Sequence, residues 1–256
     1  MREELILLAG IKKSTYSMLA LEKTIHLHDS EFERFKGFLK RRSNGEPIAK
    51  ILQKKEFYGI EFITNENTLD PRPETELIID LFRKHYVFSD TQLAVLDLGC
   101  GTGCIGLTIL SLYKNAICDF VDISSNAMAV AEKNSTNLGV CDRSRFIVSD
   151  WFTNVSGRYD AIVSNPPYVA VGFELTDGAL FDPEIALFAG DGGMNSFDVI
   201  FKSATSFMKT GAKLFMEIGF DQKDKVLALA SGITLLEVVD DLAGIHRAMV
   251  FASGSV

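Results

Sequence analysis

An α/β fold is predicted: a mostly parallel seven-stranded sheet preceded by a small helical N-terminal domain. Three observations lead there. From Leu93 onward, short apolar runs alternate with helical stretches; a glycine turn, Gly99-Cys100-Gly101-Thr102-Gly103, lies where the first run meets its helix; and residues 1–60 show helical periodicity. With 256 residues and 47% apolar content, the chain can bury a sizeable core.

Near the N-terminus, Ser30 and Glu33 make a capping-box pattern ahead of Phe32, Phe35 and Leu39, which predicts a helix. Phe57-Tyr58-Gly59-Ile60-Glu61-Phe62 alternates around a glycine and reads as a short hairpin, leading to a helix that starts near Pro73 and carries Leu77, Ile78, Leu81 and Phe82. Leu93-Ala94-Val95-Leu96 reads as a buried strand and residues 104–110 as its following helix. The next strand, residues 116–121, ends at Asp122. Further strands are expected at 145–148, 159–163, 212–217, 233–239 and 247–252, one near the C-terminus running antiparallel, with helices at 125–138, 196–209 and 221–229.

Charge is unevenly spread. Residues 1–60 carry 12 Lys and Arg against 8 Asp and Glu, whereas residues 61–256 carry 14 against 26. The acidic larger part is a poor match for duplex DNA, whose affinity comes largely from phosphate neutralisation. The basic N-terminal part reads as a solvated face, or as a dock for a protein or RNA. Cys100, Cys104, Cys118 and Cys141 lack zinc-ligand spacing, so no metal site is indicated and the thiols fit a reducing compartment. No run approaches 18 apolar residues, and Met1 is followed by Arg2-Glu3-Glu4; neither a membrane span nor a signal peptide is expected, and the expected location is cytoplasmic.

The glycine turn sits at a strand-to-helix corner, where residues without Cβ let a ligand approach the backbone and the helix start offers free N–H groups. Its Gly-x-Gly-x-Gly spacing differs from the Gly-x-Gly-x-x-Gly that cradles a pyrophosphate. Asp97 just before it suits a cationic ligand, and Asp122 ends the next strand at about the distance of a ribose-binding acid. S-adenosylmethionine fits both: it has a ribose, a cationic amino-acid end and no phosphate.

Asn165-Pro166-Pro167-Tyr168 emerges from the C-terminal end of the 159–163 strand, on the edge that carries the glycine turn. Asn165 and Pro166 each precede a proline, so both are biased toward extended backbone, and the loop is stiff and rich in acceptors. An amide or aromatic amino nitrogen is a poor nucleophile because its lone pair is delocalised. An Asn165 side-chain oxygen and a Pro166 carbonyl that each accept one N–H would fix the NH2 plane and favour pyramidalisation toward a methyl group, with Tyr168 packed against the planar substrate.

These segments resemble the protein-(glutamine-N5) methyltransferases that modify peptide chain release factors, a group of class I, Rossmann-like, S-adenosylmethionine-dependent enzymes. The resemblance runs from Glu46-Pro47-Ile48-Ala49 and Phe57-Tyr58-Gly59 through Pro71-Arg72-Pro73-Glu74-Thr75-Glu76 and the 95–103 stretch. It resumes at Ser149-Asp150-Trp151-Phe152, the Asn165 tetrapeptide, Asp191-Gly192-Gly193 and Glu217-Ile218-Gly219. It implies that Gly99, Cys100, Gly101, Thr102 and Gly103 line the cofactor, that Asp97 and Asp150 belong to its site, and that Asp122 holds the ribose hydroxyls. Trp151 would lie beside the adenine, while Asn165, Pro166, Pro167 and Tyr168 receive the glutamine and Asn165 also touches the cofactor. The implied domains are a helical substrate-binding unit at 1–54, a hairpin linker at 55–72 and a catalytic domain at 73–256. Glu74 and Glu76 read either as part of that site or as solvated first-turn acids.

The chain departs from the family pattern at Lys50, where an aromatic residue usually stands, at Asp182-Pro183 in place of Glu-Pro, and in a short 169–181 stretch. These departures lie in regions expected to touch the protein substrate. The implied activity is methylation of the glutamine in a Gly-Gly-Gln loop of a release factor by a monomeric enzyme. Two alternatives stay open: methylation of an exocyclic amino group of adenine or guanine in nucleic acid, with the base flipped or single-stranded, and a cofactor-binding module that recognises release factors without turnover.

Overall fold

The structure, a computed structural model, describes residues 2–87, 92–175 and 177–254; Thr176, inside the 169–181 stretch, lies outside them. The N-terminal helices are α1 (Arg2–Lys12), α2 (Tyr16–Ala20), α3 (Asp29–Ser43) and α4 (Ile48–Leu52). They close over small cores of their own, with Leu7, Ile11, Phe38 and Ile51 in one and Leu8, Ala9 and Leu19 in the other. Helix α3 begins earlier than the Ser30/Glu33 pattern predicts. Glu31, rather than Glu33, reaches back to accept the His28 N–H at 3.0 Å, and it is held there by Lys12 Nζ at 2.6 Å. That long-range ion pair decides which acid caps the helix; Glu33 pairs instead with exposed Lys36.

Strands β1 (Lys54–Phe57) and β2 (Ile60–Ile63) form the predicted hairpin. Tyr58 and Gly59 both have positive φ, as a tight two-residue turn between twisted strands requires. The Glu76 carboxylate accepts the Tyr58 N–H at 2.7 Å, so this first-turn acid anchors the hairpin to α5 (Glu76–His85).

The remaining chain runs β3 (Ala94–Leu98), α6 (Cys104–Leu112), β4 (Ile117–Asp122), α7 (Ser125–Leu138), β5 (Ser144–Val148), β6 (Tyr159–Ser164), β7 (Val169–Ala170), α8 (Glu184–Leu187), β8 (Phe188–Ala189), the turn α9 (Gly190–Gly193), α10 (Asn195–Phe207), β9 (Met208–Glu217), α11 (Lys223–Leu229), β10 (Ile233–Asp240) and β11 (His246–Ser253). The seven-stranded sheet has the order β10-β11-β9-β6-β3-β4-β5, parallel except for β11, which is antiparallel to both neighbours. The predicted α/β architecture with a helical N-terminal region is therefore present. The two-stranded pairing of β7 with β8 was not anticipated; it closes the excursion that follows the Asn165 tetrapeptide.

Both faces of the sheet are buried, which is why its strands read as apolar runs. Val95, Ala161, Val163, Phe215 and Val250 meet α5, α6 and α7 on one side. Leu96, Leu98, Ile162, Leu214 and Met216 meet α10 and α11 on the other. Helix α6 lies close on the sheet because residue 106 is glycine: a Cβ there would fall 2.5 Å from Phe120 Cε1 and 2.9 Å from Cys118 Sγ. Gly106→Ala is expected to cost about 1–3 kcal/mol through overpacking, read as a lower midpoint in urea unfolding; an unchanged midpoint would contradict this packing. Among the described residues, no helix is long and apolar enough to cross a membrane.

Candidate active site

Order reverses at β3, whose neighbours β4 and β6 lead to opposite halves of the sheet, and ligand crevices open at the C-terminal ends of strands flanking such a point. The registers make the arrangement explicit. Leu98 pairs with Val121, Asp97 with Val163, and Ser164 with Met216. Carried on to the strand ends, these registers put Asp122, Gly99, Asn165 and Glu217 in one row across β4, β3, β6 and β9. Ser164 Oγ donates to the Leu98 carbonyl at 2.6 Å and ties the two central strand ends together. Adjacent strands lie about 4.8 Å apart, so Asp122 and Asn165 stand about 10 Å apart.

A cleft opens along this row. Gly99, Cys100, Gly101, Thr102, Asp122, Asp150, Trp151, Asn165 and Pro167 all line it, with the loop of residues 67–72 and the segment of residues 183–190 forming the opposite walls. Asp122 Oδ2 accepts the Gly101 N–H and Oδ1 the Ser124 N–H, both at 2.9 Å. Burial raises its pKa while those backbone N–H groups oppose the rise. Trp151 adopts φ 46°, a left-handed conformation that costs a bulky residue strain and that here accompanies a place on the cleft wall.

Asp97, Gly103, Pro166 and Tyr168 are not among the lining residues. Asp97, expected beside a cationic ligand, is fully buried beneath the turn, where Oδ2 accepts the Gly106 N–H at 2.9 Å. Burial is the main cause that pushes its pKa up to about 7, with the Gly106 N–H acting against the rise and Asp122 adding to it. Gly103 serves helix packing, since a Cβ there would meet Leu107 Cδ1 at 3.0 Å and Ala131 Cβ at 3.3 Å. The Tyr168 ring packs against the α10 side of the sheet, and its hydroxyl donates to Glu217 Oε1 at 3.0 Å. Its backbone is gripped as well: Gln222 Nε2 donates to the Tyr168 carbonyl at 2.8 Å, and Gly193 approaches that carbonyl so closely that a Cβ would lie 2.3 Å away.

Two residues of the site carried no specific assignment from sequence. Thr75 lines the cleft, accepts from Asn165 Nδ2 at 3.1 Å and donates to Glu217 Oε2 at 2.5 Å. Glu217 is 2% exposed. The available signal was a single acid closing the apolar run Leu214-Phe215-Met216 at the same sheet edge as Asn165.

Residues 66–178 match the family described as methyltransferase small domain. The chain is 34% identical over 254 residues to the release factor glutamine methyltransferase of Agrobacterium fabrum, covering 96% of this chain and 88% of the relative. It is 36% identical over 233 residues to the release factor glutamine methyltransferase of Cereibacter sphaeroides, covering 88% and 82%. The chain belongs to the release factor glutamine methyltransferase family. Among solved structures, a methyltransferase from Pyrococcus furiosus superposes with a TM-score of 0.59 at 15% identity, over 89% of this chain and all of that one, a likeness of fold.

As a family member the protein is a methyltransferase, and the methyl donor such a family implies is S-adenosylmethionine. The residues present fit that donor. After accepting two backbone N–H groups, the Asp122 carboxylate retains lone pairs on the cleft side for ribose hydroxyls. The Trp151 ring offers an apolar wall. Asp97 Oδ1 has no hydrogen-bond partner among the described residues, a buried acceptor that an ammonium group, or a water bridging to one, would satisfy.

Proposed function

We propose that the protein transfers a methyl group from S-adenosylmethionine to N5 of the glutamine in the Gly-Gly-Gln loop of a peptide chain release factor. The observation that carries this reading is the single row that brings Gly99 and Asp122 to the same cleft as Asn165. When bound, the cofactor supplies an electrophilic methyl on a sulfonium centre. Asp122 holds the ribose hydroxyls, Asp150 and Trp151 flank the adenine, and the glycine turn lets the ligand lie against the backbone.

Asn165 Oδ1 and the Pro166 carbonyl accept the two N–H groups of the glutamine amide and hold its nitrogen in line with the donor. Each such bond is worth about 1 kcal/mol net, whereas correct alignment can lower the barrier by roughly 7–11 kcal/mol. Orientation therefore dominates, and no strong base is required before transfer. As the nitrogen–methyl bond forms, the sulfur–methyl bond would break to leave S-adenosylhomocysteine, and the nitrogen would then lose one proton to solvent. Pro167 forms the adjoining wall; Tyr168 supports the loop from behind.

The helical unit of residues 1–54 docks the release factor, the 55–72 hairpin links it to the catalytic domain of residues 73–256, and the glutamine loop enters between them. Exposed Val171, Phe173 and Leu180 on the excursion between β7 and β8 offer apolar contact beside that entrance. The acidic charge of residues 61–256 disfavours a nucleic-acid acceptor. Incubation of the purified protein with a release factor and methyl-labelled cofactor is expected to label the factor and to leave a Gln→Ala loop variant unlabelled. Label that survives this change, or that appears only in nucleic acid, overturns the acceptor assignment.

A further inference from the structure

Glu217 closes the row on the side away from Asp122, and the reaction proposed above gives it no task. We propose that Glu217, acting through Thr75, fixes which way the Asn165 carboxamide faces and is thereby the positioning residue that presents Asn165 Oδ1 to the substrate NH2. This inference rests on the acceptor geometry proposed above and adds the reason that geometry holds.

An asparagine side chain has an acceptor and a donor of nearly equal size, so shape alone does not choose between its two orientations. Only one of them serves. With Oδ1 toward the substrate, the carboxamide accepts an N–H; turned over, it sets its own NH2 against the substrate NH2, donor against donor. Something must discriminate, and a neighbour of fixed hydrogen-bond direction does so.

An ionised carboxylate is such a neighbour because it only accepts. Glu217 Oε2 takes the Thr75 hydroxyl proton at 2.5 Å and Oε1 takes the Tyr168 hydroxyl proton at 3.0 Å. Having donated its one proton, Thr75 Oγ1 is left with lone pairs, and it receives Asn165 Nδ2 at 3.1 Å. Nδ2 is thus committed to Thr75 and Oδ1 is held on the other branch of the carboxamide. Direction passes from a charged group through a hydroxyl to an amide. Burial, with a smaller contribution from Glu74, raises the Glu217 pKa, while the Thr75 and Tyr168 hydroxyls and Arg247 oppose that rise.

The four participants come from three distant parts of the chain. Thr75 belongs to the 71–76 stretch before α5, Asn165 and Tyr168 to the loop after β6, and Glu217 to the end of β9. One relay gives a common reason for their meeting at this edge. It also explains why a fully enclosed acid stands beside apolar Met216 and Ile218.

The test uses the full-length protein with Thr75→Val, Thr75→Ser and Glu217→Gln. Valine keeps the shape of threonine and removes both its donor and its acceptor; serine keeps them; glutamine has one side-chain oxygen and can satisfy Thr75 or Tyr168 as an acceptor, not both. Thr75→Val is expected to lower kcat about tenfold, the loss of one orienting hydrogen bond, with KM for the acceptor changed by less than about threefold. Glu217→Gln should lower kcat in the same sense, and Thr75→Ser should recover most of the rate lost in the valine variant.

The second readout needs no acceptor. In 15N-labelled protein, the Asn165 side-chain NH2 signals, identified by their absence from Asn165→Ala, should move in Thr75→Val and Glu217→Gln and stay near their wild-type positions in Thr75→Ser. Unmoved NH2 signals in both the valine and glutamine variants overturn the relay, whatever the rates. Equal kcat in wild type and Thr75→Val overturns it too. Failure of the wild type to label a release factor sinks the acceptor assignment instead, and leaves the NH2 signals to decide the relay.

Discussion

Asn165→Ala is expected to lower kcat by about 100-fold or more, while the Kd for S-adenosylhomocysteine changes by less than about tenfold. The asymmetry follows from where Asn165 stands. It lies two strands from Asp122, at the proposed acceptor end of the row, and its side chain is tethered to Thr75. Alanine removes one acceptor of the substrate NH2. The direct loss is about 1 kcal/mol, but a nitrogen released from one of its two restraints rotates out of line, and misalignment of about 1 Å costs on the order of 100-fold. Steady-state production of S-adenosylhomocysteine and calorimetric titration of that product separate the two effects. Unchanged turnover in the variant would overturn the assigned chemistry for any acceptor.

Lys50→Met is expected to destabilise the folded protein by about 3–5 kcal/mol, because it leaves buried carboxylates without their counter-charge. Lys50 Nζ lies 2.9 Å from Asp182 Oδ1 and 3.0 Å from Asp70 Oδ1, with the lysine side chain 4% exposed and that of Asp182 1%. It also donates to the carbonyls of Asn65, at 2.8 Å, and Thr68, at 2.5 Å. Lys50 and Asp182, two departures in regions expected to touch the protein substrate, are themselves internal and contact each other. Two departures from the family pattern prove to be the halves of one ion pair. Arg72 adds a second charge to Asp182 at 2.5 Å from a more exposed position, which limits the loss without replacing the lysine. Urea unfolding of Lys50→Met, Asp182→Asn and the double variant measures the coupling; single-variant losses below about 1 kcal/mol, or losses that simply add, would contradict the pair.

The sheet was legible because its strands are apolar on both faces and because glycines and prolines punctuate them. The glycine turn and the Asn165 tetrapeptide announced themselves by composition, and parallel topology brought them to one edge. Other features depend on partners far away in sequence. Glu31 caps α3 because Lys12, 19 residues earlier, reaches it. Tyr168 looks like a stacking residue in its tetrapeptide, yet Glu217, 49 residues on, draws its hydroxyl away from the cleft wall. Local pattern carries no record of such pairings. The Thr75–Glu217 contact, across 142 residues, is another case.

The shared register of β4, β3, β6 and β9 also says how such an enzyme could change its client without losing its chemistry. In the proposed reading, the residues that hold the methyl source, Gly99 and Asp122, and the one that holds the recipient, Asn165, stand in one row across neighbouring strands, so the gap between them is set by the spacing of the backbone itself. The connecting segments above that row can lengthen, shorten or exchange side chains to suit a different visitor. The ruler beneath them stays the same.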